Sequence, residues 1–479
     1  MPNSIADRAR RAALCTLMFA VVCAGPLPAM AQRPGLPPET EEAIAALVTK
    51  ALAETSVPSV SIAIVKDGEL AYARAFGAAR LEPRTAATPE SRYKIASNSK
   101  QIAAAAVLLL VEEGKLSLDD PVSRFFPELK RAADISVRQL LNHTSGYQDY
   151  YAVDYLSLIM QSDIPPDRIL AMYAQKPLDF EPGTRYQYSN TNYVLLGRII
   201  EQVSGEPLAQ FLRTRIFDKL GMDSAIDVNV LPLGPADPAG YTRYALGPVR
   251  EVGAEGKGWM WATAELAMTA SDLAKWDISL MEGSLLTPAS LAALSTATLL
   301  KDGTPTNYAL GLGVSQMANG HRRWGHTGGA SGFLSSNATY PDDRMAITVL
   351  SNGEGEAFRT IATQIEKLLF AAAADPAAAS SLARARQMFV GLQKGQLDRT
   401  TITADLSGFF SAQVLGDFAS SLAPLGGVVS ISQDSKSDRG GMAYRKFVIT
   451  TASKKKLSVA AYVESDGRFD QYLISEILE

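Results

Sequence analysis

The chain has 479 residues, 47% of them hydrophobic and 20% charged, which is globular composition with enough apolar side chain for a large core and more than one domain. Its formal net charge of −4 argues against a nucleic-acid binder, which needs a basic face.

The chain opens with Arg8, Arg10 and Arg11, then a short apolar run from Ala12 to Gly25, then Ala29-Met30-Ala31 before Gln32. This is the pattern of a cleaved export signal over residues 1–31. An uncleaved anchor is the other reading of the same run, and a lipid on Cys23 fits poorly because the bulky Val22 precedes it. Both cysteines, Cys15 and Cys23, fall inside this segment, so a chain starting at Gln32 has no disulfide, no thiol nucleophile and no thiolate metal site. The expectation is an exported protein, periplasmic or secreted, with no integral membrane span once the signal is removed.

After the Pro-rich stretch from Arg33 to Pro38, residues Glu39 to Glu54 carry helical periodicity, with Ile44, Leu47, Val48, Ala51 and Leu52 on one side. The run SVSIAIVKDGELAYARAFG from Ser59 alternates on both sides of Lys66-Asp67-Gly68, a hairpin signal. A helical block extends from about Ser97 past Ile200, interrupted by turn-rich loops such as HTSG and EPGT. Strand character returns in HRRWGHTGG from His321, GFLSSNATY from Gly332 and MAITVLSN from Met345, the last two joined at Pro341-Asp342-Asp343. A helix from about Phe358 to Ala374 follows. Strands at both ends with helices between predict one sheet built from N- and C-terminal pieces, a helical subdomain inserted in it, and a site at the junction. The first large domain is expected over 39–372, an Ala/Ser-rich linker over 373–383, and a small α+β domain over 384–479, helical to about 422 and then strand-like.

Three stretches carry candidate chemistry. In YKIASNSKQIA, Ser97 stands three residues before Lys100 at a helix start, so both side chains project from one face and the helix dipole favours negative charge on Oγ. A lysine in a desolvated pocket loses its proton readily and serves as a base, although the same residues also describe a plain helix cap. In EPGTRYQYSNTNYVLLG, Tyr188-Ser189-Asn190 form a turn before an apolar helix; Tyr188 is a possible proton carrier and Asn190 offers an amide to orient Lys100 or a substrate. In WGHTGGASG, His326-Thr327-Gly328-Gly329 end a strand, where glycines permit close backbone approach to a ligand.

The ordered trio SNSK, YSN and HTG resembles the signature motifs of the serine β-lactamase and penicillin-binding-protein superfamily, on the branch of class C β-lactamases, D-alanyl-D-alanine carboxypeptidases, D-aminopeptidases and related esterases. LLVEEGKLSLDDPVSRFFPE from Leu109, ISVRQLLNHTSGY from Ile135 and TASDLAKW from Thr269 extend the resemblance over about residues 39–372. It implies an α/β, β-lactamase/transpeptidase-like fold, an antiparallel sheet flanked by helices plus a helical subdomain. It also implies Ser97 as acylated nucleophile, Lys100 as its activating partner and Tyr188 as general base or acid. Asn190, His326, Thr327 and Gly328 would contact substrate, and the N–H groups of Ser97 and Gly329 would form the oxyanion hole. Whether Lys100 or Tyr188 takes the Ser97 proton stays open.

The sequence departs from that pattern twice. His326 stands where dedicated class C enzymes have lysine, and a mostly neutral imidazole is a weaker anchor for a penicillin carboxylate. Ala264-Glu265 stands where many relatives have Gly-Gly. His143 reads as a loop hydrogen-bonding residue, His321 as a strand-surface residue, and Thr269 with Asp272 as a capping pair. Three histidines without metal-ligand spacing imply no metal, and no cofactor is implied. Tyr147, Tyr150, Tyr151 and Tyr155, like Trp259 and Trp261, suit either a cleft lining or an aromatic patch. The expected activity is hydrolysis of an ester or amide, of D-amino-acid peptide or small-ester type, through an acyl-enzyme on Ser97. The alternatives are a non-catalytic penicillin-binding-like receptor or a weak β-lactamase, and the sequence does not give the oligomeric state.

Overall fold

The Asp67-Gly68 turn sets the register of the first hairpin. Both residues have positive φ, 56° and 82°, the twist that a two-residue loop between right-twisted strands requires. Ser59–Lys66 and Glu69–Leu81 pair antiparallel across it. The computed structural model describes residues 35–151, 156–244, 247–317, 320–375, 377–439 and 442–476; the expected signal segment and Tyr155 lie outside them.

The hairpin joins the late strands directly, Ser59–Lys66 lying antiparallel to Met345–Ser351. The full sheet has seven strands in the order Arg84–Ala86, Glu69–Leu81, Ser59–Lys66, Met345–Ser351, Phe333–Tyr340, Arg322–Ala330, Gly313–Gln316, so N- and C-terminal pieces do form one sheet. Its two faces follow from the period of two in a strand. Val60, Ile62, Ile64, Ile347 and Val349 pack with Ile44 and Val48 of the helix Pro38–Thr55 and Ile361 and Ile365 of the helix Ala357–Ala374. Ala63, Val65, Ala346 and Leu350 belong to the larger core on the other face. That core is centred on the helix Ser99–Glu112, whose residues Ser99 to Leu110 are all buried, and includes the helices Asn190–Ser204 and Ala270–Glu282. Thr269 caps the last of these by accepting from the Asp272 N–H at 3.1 Å.

Past the large sheet, Ala357–Ala374 and Ala378–Gln393 are both helices, so regular structure runs through most of the stretch read as a linker. Alanine, which made that stretch look like a spacer, is also the strongest helix former. The C-terminal region has its own core, in which Ala385, Met388, Phe389, Phe447, Val459 and Tyr472 pack helices onto one face of an antiparallel sheet. Its strands are Val428–Arg439, Met442–Thr451, Lys456–Val463 and Phe469–Glu476.

Asn352, wholly buried just after the central strand, ties the two ends of the chain together. Its Oδ1 accepts from Ser59 N at 2.8 Å and Ser59 Oγ at 2.7 Å, and its Nδ2 donates to the carbonyls of Ala78, Ala79 and Ala239 at 3.3, 3.0 and 3.1 Å. Asn352→Leu is expected to lower the unfolding free energy by ~3–5 kcal/mol, because several buried backbone groups lose their partners at ~1–3 kcal/mol each. Urea denaturation measures this; an unmoved midpoint would show that the amide is not the tie.

Candidate active site

Ser97 sits in a single 3-10 turn, Ala96–Asn98, that feeds directly into the helix Ser99–Glu112. Ala96 has φ of 49°, a left-handed conformation that a residue with a Cβ adopts only under constraint. The constraint comes from both sides. Beneath the turn, Asn98 Nδ2 donates to Ser335 Oγ at 2.9 Å, and that hydroxyl donates to the Ile95 carbonyl at 2.7 Å. Across it lies the strand Arg322–Ala330, so close that a Cβ on Gly328 would fall 2.3 Å from the Ile95 oxygen and 2.9 Å from the Ala96 Cβ. Only glycine allows that approach.

Lys100 is completely buried and has three oxygen neighbours. Its Nζ lies 3.1 Å from Ser97 Oγ, 2.9 Å from Asn190 Oδ1 and 2.9 Å from the Thr263 carbonyl oxygen. Burial pulls its pKa down to about 7, with Asp149 and then Glu265 opposing. A neutral amine has two N–H groups and one lone pair. The carbonyl oxygens of Asn190 and Thr263 can only accept and so take the two N–H groups, which leaves the lone pair for the Ser97 hydroxyl proton. The helix start that presents Ser97 Oγ thus also holds the Lys100 amine against it.

Tyr188 lies alongside. Its ring centroid is 5.0 Å from Lys100 Nζ and 4.3 Å from the imidazole of His143. Burial raises its pKa, and the neighbouring Ser97 hydroxyl pulls the other way. It is a neutral phenol beside Ser97. His143 has the role of a loop brace. Its Nδ1 accepts from Ser189 N at 3.2 Å, and burial, helped by Lys100, holds it neutral.

His326 meets the pocket from the facing strand, its ring centroid 6.0 Å from that of Tyr188. Nδ1 faces the Thr327 carbonyl and so carries the proton, which leaves Nε2 to accept from the Tyr308 hydroxyl at 3.0 Å. Burial and Lys100 lower its pKa to about 4. His326 is neutral near pH 7, as the sequence suggested, and already engaged through both nitrogens. Thr327 and Gly329 are exposed on the same strand while Gly328 is buried.

Ser97, Lys100 and Asn190 are thus hydrogen-bonded, and Tyr188 and His326 border them. Several contributors carried no sequence signal. The Thr263 contact is a backbone carbonyl, which no side-chain pattern reveals. Asp149, in the loop after HTSG, accepts from Asn190 N at 2.9 Å and from Asn190 Nδ2 at 3.2 and 3.3 Å. Glu265 gives the second departure a consequence. It is buried, burial and then Asp227 push it well above the usual carboxylate range, and its Oε2 has no hydrogen-bond partner. The aromatic residues turn inward: Tyr147 donates to the Lys130 carbonyl at 3.1 Å, Tyr150 and Trp259 are buried, and Trp261 packs on Gly197. His321 contacts Asp343 at 2.8 Å. Among the described residues no cluster of His, Cys, Asp and Glu has the arrangement of a metal site, and no helix is long and apolar enough to cross a membrane.

Known proteins show the same frame. The Beta-lactamase family model matches residues 44–370. Penicillin-binding protein 4* of Bacillus subtilis is 28% identical over 317 residues, covering 61% of this chain and 68% of that protein. A D-aminopeptidase of Brucella anthropi is 31% identical over 310 residues, covering 63% of this chain but only 57% of its own length. Among solved structures, D-amino acid amidase from Ochrobactrum anthropi SV3, complexed with D-phenylalanine, superposes with a TM-score of 0.61 at 26% identity, over 70% of this chain and 98% of that one. An octameric penicillin-binding protein homologue from Pyrococcus abyssi shares the fold over 91% of this chain and 100% of its own, with a TM-score of 0.62 at 23% identity. With a family model spanning the whole large sheet and the Ser97–Lys100–Asn190 cluster set against it, this chain belongs to the Beta-lactamase family, within the superfamily of serine β-lactamases and penicillin-binding proteins.

Proposed function

We propose that the chain hydrolyses an amide or ester of D-amino-acid type through an acyl-enzyme on Ser97. The observation that carries this reading is the buried Lys100 amine, its two N–H groups accounted for and its remaining valence directed at Ser97 Oγ. Lys100 takes the Ser97 proton as Oγ bonds to the substrate carbonyl carbon. The oxyanion that forms is received by the N–H groups of Ser97 and Gly329. Tyr188, which holds its own proton, donates it to the leaving amine or alcohol as the C–N or C–O bond breaks. Water then attacks the acyl carbon and gives its proton to the Tyr188 phenolate, while Lys100 returns the proton it took to Ser97 Oγ as the acyl C–O bond breaks, so that the carboxylic acid leaves and all three side chains are restored.

The substrate class rests on charge and on relatives. A neutral His326 with both nitrogens occupied supplies no fixed cation for a penicillin carboxylate. Relatives named D-aminopeptidase and D-amino acid amidase favour amides of D-amino acids. Export to the periplasm or medium, proposed from residues 1–31, would place such a hydrolase where D-amino-acid peptides occur; an intact mass matching a chain that starts at Gln32, free or as pyroglutamate, is expected, and the mass of the uncleaved chain would overturn this part.

Incubation with a fluorophosphonate and, separately, with a fluorescent penicillin, followed by adduct mapping, tests the nucleophile. Labelling of Ser97 by the fluorophosphonate is expected, with D-amino acid amides and p-nitrophenyl esters turned over faster than nitrocefin. Labelling elsewhere, or by neither reagent, overturns the mechanism, and rapid nitrocefin turnover replaces the substrate class with a β-lactam. Tyr188→Phe is expected to lower kcat ~100-fold or more with an unchanged melting temperature; near-normal turnover would remove Tyr188 as proton donor. Because Lys100 must be neutral to act, the acylation rate should rise with pH through about 7. A rate flat from pH 5 to 9 would exclude it as the base.

A further inference from the structure

The Asn190 side chain is useful to Lys100 in only one of its two orientations. An amide flip exchanges Oδ1 and Nδ2 with little change in shape, and the wrong flip sets an NH₂ donor against the lysine amine. Asp149 distinguishes the two. Both of its carboxyl oxygens take Nδ2, at 3.2 and 3.3 Å, and Oδ1 also accepts the Asn190 backbone N–H at 2.9 Å. The loop that carries Asp149 is itself fastened: Tyr151 N donates to Asp149 Oδ1 at 3.1 Å, and Thr191 Oγ1 donates to the Gln148 carbonyl at 2.6 Å. Both the side chain and the first turn of the helix Asn190–Ser204 are therefore held from one half-buried carboxyl group.

We infer that Asp149 is a positioning residue of this site: it fixes the Asn190 amide with Oδ1 toward Lys100 Nζ, and through that amide sets where the lysine lone pair points. The inference rests on the reading of Ser97 and Lys100 as the reacting pair, and it adds a residue that acts through Asn190. Orientation and charge are its two separable effects. Asp149 is the first of the two carboxyl groups that oppose the desolvation of Lys100, Glu265 being the second. The other groups facing Lys100 are the neutral imidazoles of His143 and His326 and the protonated phenols of Tyr188 and Tyr193.

Two variants separate these effects. Asp149→Asn keeps the side-chain shape and an oxygen for the Asn190 and Tyr151 N–H groups but removes the charge. With less to hold the Lys100 proton, the rising limb of Ser97 acylation should move to lower pH, and KM should change little. Asp149→Ala frees the amide to flip; kcat should fall ~10–100-fold across the pH range, the scale of a misplaced catalytic group, again with KM nearly constant. Circular dichroism melts check that both variants fold, and the near-isosteric Asn variant keeps the test available if the Ala variant does not. A limb unmoved by Asp149→Asn, or a normal kcat in a folded Asp149→Ala protein, overturns the inference. These results differ from failure of the underlying reading, which shows as wild-type protein that fluorophosphonate does not label at Ser97.

Discussion

The structure is organised around one costly placement, a lysine amine with no exposure to water. Burying an ammonium without partners costs many kcal/mol, and the group responds by losing its proton or by gathering acceptors. Lys100 does both. Its oxygen partners come from three separated parts of the chain, Ser97 in the turn that leads into its own helix, Asn190 at the start of another and the Thr263 carbonyl in a third segment, so the site exists only once all three have packed. The cost also appears in the backbone. Ala96 directly precedes Ser97, Ala262 directly precedes Thr263, and His143 stacks on Tyr188, and all three have left-handed φ of 49°, 58° and 58°. Such conformations persist where surrounding structure over-determines them, and these gather around one amine.

Electrostatically the pocket is governed by desolvation, which leaves Lys100 titrating at about 7. Desolvation acts in the same direction on the histidines and tyrosines around Lys100, favouring the uncharged form of each. It lowers His326 and His143 and raises Tyr188, Tyr193 and Tyr308, so none of these changes charge around pH 7. A lysine in place of His326 would add a second cation near Lys100. Histidine avoids that and spends its nitrogens on Tyr308 and a carbonyl, joining the aromatic wall beside Ser97.

The legible part of the site was the part whose chemistry resides in side-chain type. Ser97 and Lys100 at a spacing of three, Tyr188 with Asn190, and His326 before two glycines each mark a candidate by residue type, and the structure brings them together; alternating strands at both ends of the chain pointed to one sheet, which forms. Asp149 could not be found this way, because its role depends on a loop folding back onto a helix start and not on spacing. Thr263 acts through its backbone, where residue identity is silent. The edge strands Arg84–Ala86 and Gly313–Gln316 are too short to show a period. Around 373–383 the alanines suit a spacer and a helix equally, and tertiary structure decides between them.

What allows the Ser97 turn to stay in place is a polar network beneath it, in a core where apolar packing would be the simpler solution. Asn98 and Gln101 are hydrogen-bonded at 2.8 Å, Gln101 reaches Asn337 at 3.3 Å, and Asn337 donates to the wholly buried Asp277 at 2.7 Å, which also receives Thr339 at 2.8 Å. Trp276 donates to Gln101 at 3.1 Å from the helix that backs the sheet. Apolar side chains fill space with little directional preference, whereas hydrogen bonds fix angles as well as distances, and a fully partnered buried network specifies one arrangement. Ser97 therefore stands on a directional scaffold that ties its turn to the central strands, with Gly328 closing the opposite side.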